Sequence, residues 1–371
     1  MAGETCSSIS ELVLSGLNER SQPKEMDTNS CAETEIADYC YEFVNGSCIK
    51  TTRSNSLRVF LYTFLILIIL STVIGNLLLI VSIIHFKHLQ TPTNYLILSL
   101  ATVDFLLGCL VMPYSMVRSV ETCWYLGDAF CKFHSSCDVM LSTASILHLC
   151  FISVDRYFAV CDPLKYKLRI TLFSVQIIIF IIWSASAVLA FGMIFLKLNL
   201  KGMEEFYSDE FTCCGNCILV LSEISGVISS SISFYIPGVA ILYIYCKIYF
   251  VAVKQVRQIN RETVQIQDIG VNRIWFPRRY ERKAAKTLGI VVGIFLICWS
   301  PFFICNTIDA FLNYSVPPVL FDTLVWFGYL NSTFNPMIYG FFFSWFRKAV
   351  TIICTCKIFR SQSSRINLYC E

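Results

Sequence analysis

The sequence predicts an all-α membrane protein: a seven-transmembrane helix bundle followed by a short amphipathic eighth helix. Three observations predict it. Of the 371 residues 56% are hydrophobic and only 15% are charged, against roughly 45–50% and about 25% in soluble domains. Seven stretches reach the roughly 20 apolar residues that cross a bilayer as a helix, and Lys and Arg are shared unevenly between the connections on the two sides. A formal charge of +3, with no basic run interleaved with aromatics, gives no basis for binding nucleic acid.

Residues 1–58 carry nine acids against five bases and no apolar run, so they read as an outer tail without a signal peptide, translocated by the first span. Residues 1–38 are expected to be disordered, with Met26 an alternative start. The bundle occupies 59–343. Its first span, Val59 to Ile84, is uncharged. The second, Asn94 to Val117, holds one acid, Asp104, and the third, Phe133 to Val154, holds Asp138. Ile170 to Leu196, Ile224 to Cys246, Leu288 to Ile308 and Leu324 to Phe343 complete the set without charge. Seven is odd, so the termini lie on opposite faces. The tail and connections on the amino-terminal side hold nine Lys and Arg, those on the other side twenty, which places the carboxyl terminus in the cytoplasm. Residues 344–371 form the cytoplasmic end: Phe341 to Val350, with Arg347 and Lys348, suits a helix lying along the inner leaflet, with Cys354 or Cys356 as acylation sites.

Ionisable groups at membrane depth cost several kcal/mol, so each asks for a reason. Asp138 and Arg156 are 18 residues apart on the third span, about 27 Å at 1.5 Å per residue. Asp138 therefore opens toward the outside and Arg156 toward the cytoplasm, while Asp104 falls near the middle. Around them stand Gly75-Asn76, Leu100 to Asp104, Cys131, Asp155-Arg156-Tyr157, Trp183, Pro237, Cys298-Trp299-Ser300-Pro301 and Asn335-Pro336-Met337-Ile338-Tyr339. Any one of these is weak; one or more on each span, in order, is a specific pattern. From Tyr39 onward the chain resembles rhodopsin-like G-protein-coupled receptors. Asp138, seven residues after Cys131, resembles the amine-binding aspartate of the aminergic branch. The run from Asn331 to Phe346 resembles the seventh-span fingerprint of trace amine-associated receptors, with Phe343 where that fingerprint usually has Tyr, and Thr102 to Arg118 resembles their type 1 members.

What the resemblance implies can be stated residue by residue. Asp138 would hold a ligand ammonium, in a pocket whose low dielectric strengthens the pairing. Trp299, Phe302, Phe303 and Tyr329 would add cation–π and stacking contacts, with Tyr329 also within reach of the carboxylate. Ser142 one turn below, and Ser229, Ser230 and Ser233 on the fifth span, would meet a polar ring substituent; the same serines serve equally well as polar contacts between packed helices. Asp104, Ser145, Asn331 and Asn335 resemble a sodium site, an oxygen set suited to a hard cation, or else a polar network without metal. No other metal and no organic cofactor is implied. Arg156 has two carboxylates to choose from, Asp155 beside it and Glu281 at the start of the sixth span. A bridge to Glu281 would lock the resting state, and its rupture would open the G-protein cavity beside Tyr157. Pro301 and Pro336 supply kinks where a helix hydrogen bond is already missing, and Asn335, Pro336 and Tyr339 form the seventh-span activation motif.

Nine of the 19 cysteines lie on the outer side, an oxidising compartment: Cys6, Cys31, Cys40, Cys48, Cys123, Cys131, Cys213, Cys214 and Cys217. Nine is odd, so at least one thiol is left over. Cys109, Cys137, Cys150, Cys246, Cys298 and Cys305 read as small fillers within the membrane. The resemblance implies Cys131–Cys217, and further Cys40–Cys213 and Cys48–Cys123. Asn45-Gly-Ser47 is a glycosylation sequon on the outer tail.

The function expected is that of a plasma-membrane receptor for a small primary amine that couples to a heterotrimeric G protein, by resemblance the stimulatory one, and raises cyclic AMP. Two alternatives stand beside it: a rhodopsin-like receptor for another small cation, and an amine transporter. The second would show internal repeats with interrupted helices, which this sequence lacks. A light sensor is excluded, because Val319 to Trp345 contains no Lys to carry retinal. An enzyme would need clustered acid, His or Cys groups at one depth, whereas His85, His88, His134 and His148 are scattered.

Overall fold

A computed structural model describes residues 38–202, 213–266, 276–360 and 362–368; for 252, 255, 256, 258–266 and 276–288 it describes the backbone alone. The expected disorder of residues 1–38 falls, except for Asp38, outside the described residues. So do Cys6 and Cys31, and the Glu281 side chain with its proposed bridge to Arg156.

The spans are Asn55–His85, Pro92–Glu121, Gly127–Cys161, Leu172–Phe195, a fifth helix from Glu223 to Ile266, Phe276–Asp309 and Pro318–Phe342. Six are each long and apolar enough to cross a membrane, and the seventh meets the test together with Ser344–Cys354, from which it is bent by 100°. That bend lays the eighth helix across the end of the bundle. Short polar side chains set several beginnings. The Ser54 hydroxyl accepts from the Leu57 amide and the Thr91 hydroxyl from Asn94 ahead of Pro92, while Thr171 and Ser174 form a reciprocal capping box. Thr122, Lys197 and Asn313 take left-handed backbone conformations where helices stop.

The fifth and sixth helices outrun their apolar stretches at the end where they approach each other in sequence, to Ile266 and from Phe276. Polar helix in water gives no hydropathy signal, so the sequence reading stopped at the membrane edge. The second and fifth spans each contain a π turn, Leu107–Val111 and Ser231–Tyr235. Each lies just before a proline, Pro113 or Pro237, whose missing N–H leaves a carbonyl unpaired.

Packing follows burial. In the second and third spans 61% of the apolar window is inside the bundle, against 28% in the first and fourth. The third span is therefore an axis and the first and fourth face lipid. Ser99 ties three spans together, accepting from the Trp183 indole at 3.0 Å and pairing with His148 Nε2 at 2.7 Å. Between the first and seventh spans, Asn76 Nδ2 donates to the Ser332 carbonyl at 3.1 Å. Pro336, four residues on, has no N–H to offer that carbonyl, so the first span completes the broken helix.

At the end of the bundle that carries the amino-terminal tail, that tail, the connection between the second and third spans and the loop between the fourth and fifth are woven together. Tyr39 and Ile49 form an antiparallel bridge and Ser47 and Cys214 a parallel one; among the described residues there is no longer β structure. Glu121 gathers Arg58 at 2.6 Å, Tyr62 at 2.8 Å and Lys50 at 3.7 Å. Cys131 bonds Cys217 as expected, but the other two bridges exchange partners: Cys40 bonds Cys123 and Cys48 bonds Cys213. The backbone ladder explains the exchange. Cys40 and Cys48 sit side by side, with the Cys40 amide donating to the Cys48 carbonyl at 2.9 Å, and the Cys48 amide donates to the Cys214 carbonyl at 3.0 Å. Cys48 is thereby aligned with the Cys213–Cys214 strand. Cys40 is turned toward Gly215, whose carbonyl accepts from the Trp124 amide next to Cys123. Cys214 is left as a half-buried thiol.

Candidate functional site

Asp138 lies on the third span within the outer half of the bundle. The Tyr329 hydroxyl donates to its Oδ2 at 2.7 Å and Ser142 to its Oδ1 at 3.4 Å. The single Tyr329 proton is committed to the carboxylate, so Ser115, 3.4 Å away, donates to the phenol oxygen. Ser115 also lies 3.3 Å from His134 Nε2, which faces the Val111 carbonyl at 3.2 Å. A relay from His134 through Ser115 and Tyr329 thus orients the carboxylate, and two of its members, Ser115 and His134, were not among the residues expected from sequence. Their only prior signal was helix phase: His134 is one turn before Asp138.

The floor is aromatic. Trp299 stands edge-on to Phe302 with centroids 5.9 Å apart, and Phe303 is stacked on Phe234 at 4.6 Å. Gly328 is what lets the seventh span approach: a Cβ there would sit 2.7 Å from the Trp299 ring. Phe234 belongs to this cluster although sequence reasoning passed it over. The roof is the second outer loop. Arg118 donates from Nη1 to the Cys217 carbonyl at 3.2 Å and pairs through Nη2 with Asp322 at 3.4 Å, joining loop, second span and seventh span over the cavity.

The fifth-span serines are buried and divided in role. Ser233 accepts from Thr143 at 3.1 Å and Ser230 accepts from Asn306 at 3.2 Å, so both join helices, while Ser229 turns back to the Gly226 carbonyl at 3.3 Å.

Two turns deeper, level with Ser145, Asp104 is fully buried. It accepts from Ser145 at 3.1 Å, Ser332 at 2.7 Å and Asn335 at 2.7 Å. The structure adds Ser332 to the expected residues, while Asn331 beside it is buried with neither polar atom of its amide hydrogen-bonded. The two are adjacent on the helix, and both fall within a turn of Asn335. Only the rotation of the seventh span chooses between them. Among the described residues no group of three or more His, Cys, Asp or Glu is placed to hold a metal ion.

At the end of the bundle away from the disulfides Arg156 is bound by Asp155, with Nε 2.7 Å from Oδ2, and Nη2 donates to the Thr93 hydroxyl at 2.6 Å. Asp155 in turn accepts from Thr93 at 3.0 Å and from Tyr166 at 3.2 Å. Tyr166 lies on the short helix Pro163–Arg169. Burial, reinforced by the Asp155 carboxylate, pushes its phenol above the ordinary range and keeps it a donor. Tyr157 is half-buried beside Phe158, and Tyr339 is buried against Phe343 at 5.4 Å.

A carboxylate held by a tyrosine beside an aromatic cluster, a second, fully buried carboxylate, and an arginine paired with its neighbouring aspartate are arranged on one bundle. Residues 75–339 match the family of seven-transmembrane receptors of the rhodopsin family. Trace amine-associated receptor 1 of Macaca mulatta is 58% identical over 334 residues, covering 90% of this chain and 98% of the relative. The Homo sapiens protein of the same name is 57% identical over the same length, and trace amine-associated receptor 4 of Mus musculus is 47% identical over 93% of this chain and 99% of the relative. The chain belongs to the trace amine-associated receptors of the rhodopsin family. As a trace amine-associated receptor it is no enzyme: it is a multi-pass protein of the plasma membrane that takes a small-molecule ligand and acts on a G protein.

Proposed function

We propose that the receptor binds a small primary amine through Asp138, with its amino terminus outside and its carboxyl terminus in the cytoplasm, and that it signals through the stimulatory G protein to raise cyclic AMP. The observation that carries the ligand is the Asp138 carboxylate, half-buried and oriented by Tyr329 beside an aromatic cluster. A carboxylate in such surroundings has no cationic partner among the described residues and pairs best with a compact ammonium. The orientation is supported by the three disulfides gathered at one end and by the twenty cations in the connections and tail of the other. Asn45, exposed on a turn of the tail, is the glycosylation acceptor.

On this reading Trp299, Phe302 and Phe303 contact the ligand ring. Of the serines, Ser142 and Ser229 donate to Asp138 and to the Gly226 carbonyl and keep an oxygen to accept from a ring substituent, while Ser230 and Ser233 accept from Asn306 and Thr143 and keep a proton to donate. The Asp104 cluster fits sodium: a carboxylate, two serine hydroxyls and an asparagine converge, and Asn331 nearby has buried amide oxygen and nitrogen without partners. Asp104, Ser145, Ser332 and Asn335 would hold the ion, which supplies positive charge against the buried carboxylate. Activation requires the sixth span to leave the third, freeing Arg156 from Asp155 and Thr93 to meet the G protein.

The deciding experiment is Asp138→Ala in cells, with arylalkylamines as ligands and cyclic AMP as readout. Loss of the response at undiminished surface expression is expected; an unchanged response would remove Asp138 from the ligand site.

A further inference from the structure

Toward the cytoplasm from the Pro336 kink, the first and seventh spans part. Gly75 marks where they touch, because a Cβ on it would sit 2.7 Å from the Pro336 ring. One turn further on, Gly340 has no side chain to fill the space that opens, and a Cβ there would meet only Phe346, at 4.0 Å. The result is a crevice of about 310 Å³ bounded by the first span, the seventh span and the eighth helix, at the small end of ligand cavities. Its walls are almost wholly apolar.

Its depth is informative. Ser71, Gly75 and Leu78 form one stripe of the first span. Leu78 and Ser71 lie about 10 and 21 Å from the cytoplasmic end of that helix at 1.5 Å per residue. The crevice therefore runs from near the inner headgroups to about the middle of a hydrocarbon core roughly 30 Å thick. That is the direction and reach of one acyl chain of an inner-leaflet lipid. At the mouth stands a fixed cation. Arg347 Nη1 donates to the carbonyls of Gly340 at 3.1 Å and Phe341 at 2.9 Å, while its Nε and Nη2 make no hydrogen bond among the described residues and the side chain is exposed.

The geometry points to a binding site for one anionic phospholipid of the inner leaflet, its acyl chain in the crevice and its phosphate on Arg347. A sterol would fill the apolar part but leave the cation unmatched, so charge complementarity selects the phospholipid. The bound chain wedges the seventh span on the cytoplasmic side of its kink, beside the segment that carries Tyr339.

The test uses full-length receptor in phosphatidylcholine nanodiscs containing a trace of phosphatidylserine or of phosphatidylcholine with a photoreactive acyl chain, and crosslinked peptides read by mass spectrometry. Phosphatidylserine should label residues 71–78 and 336–350 about fivefold more than phosphatidylcholine, and Arg347→Gln should erase that preference. Gly340→Leu, which fills the crevice, should abolish labelling by both lipids, with thermal unfolding confirming that the variant is folded. Val350→Trp closes the same space from the eighth helix should Gly340→Leu not fold. Equal labelling of the wild type by both lipids, or labelling that survives the folded crevice-filling variant, overturns the proposal. So does displacement of the label by an equal mole fraction of cholesterol. Labelling that arises only in Cys354→Ser would mean that an acyl chain on that thiol occupies the crevice, and also overturns it.

Discussion

At Asp138 a single phenol decides how the carboxylate faces the cavity. The Tyr329 hydrogen bond, at 2.7 Å, takes Oδ2 and leaves Oδ1 with only the long contact to Ser142. Hydrogen bonds to charged groups contribute about 1.5–3 kcal/mol, and about 1.4 kcal/mol is tenfold in affinity. Tyr329→Phe is therefore expected to weaken amine potency about tenfold, measured as the concentration giving half-maximal cyclic AMP at matched surface expression. Asp104 makes a second prediction at this scale. On the proposed sodium site the wild type is expected to bind agonist more weakly in sodium than in an impermeant organic cation, and Asp104→Asn, which keeps the shape but removes the charge, is expected to abolish that difference. Asp138, Asp104 and Arg156 were legible in the sequence because charge inside an apolar run is visible in one dimension. Their partners were not: Thr93, Tyr166, Ser115 and Ser332 are ordinary polar residues until another helix is laid beside them.

Helices meet here at points where a side chain is missing. Gly328 against Trp299 is the tightest in the ligand half, and Gly75 against Pro336 its counterpart toward the cytoplasm. Overpacking a closed core costs roughly 1–3 kcal/mol, so Gly328→Ala should lower the unfolding temperature of the purified receptor and displace the Trp299 ring, read from its fluorescence. An unchanged melting curve would show that the contact is looser than 2.7 Å implies. The spans themselves were legible to within about two turns wherever they lie in lipid, since hydropathy is a local property. Their polar extensions, from Cys246 to Ile266 and from Phe276 to Leu288, carry no such signal and emerge only from the folded helices. The two π turns were equally silent, although the prolines beside them were in view.

Over the whole molecule, the outer end is closed by three covalent links that join distant parts of the chain, with separations of 83, 165 and 86 residues. Digestion of unreduced, alkylated receptor should yield peptides pairing Cys40 with Cys123 and Cys48 with Cys213, and Cys214 should carry the alkyl group. Peptides pairing Cys40 with Cys213 would contradict the fold of the outer tail. Removing one such link from a compact extracellular layer typically costs about 2–5 kcal/mol, so Cys48→Ser is expected to reduce surface expression.

By itself the sequence determined the class of molecule, the number of spans and the three charged residues around which the polar clusters form. Composition, hydropathy and charge counts are sums along the chain and survive without coordinates. Only the tertiary structure decided which cysteine meets which, that Ser332 rather than Asn331 reaches Asp104, and that Ser230 and Ser233 are engaged by Asn306 and Thr143. Each of those choices turns on the rotation of a helix or the register of a bridge. Neighbouring residues on a helix point about 100° apart, so a rotation set by packing against several partners at once selects one and excludes the other.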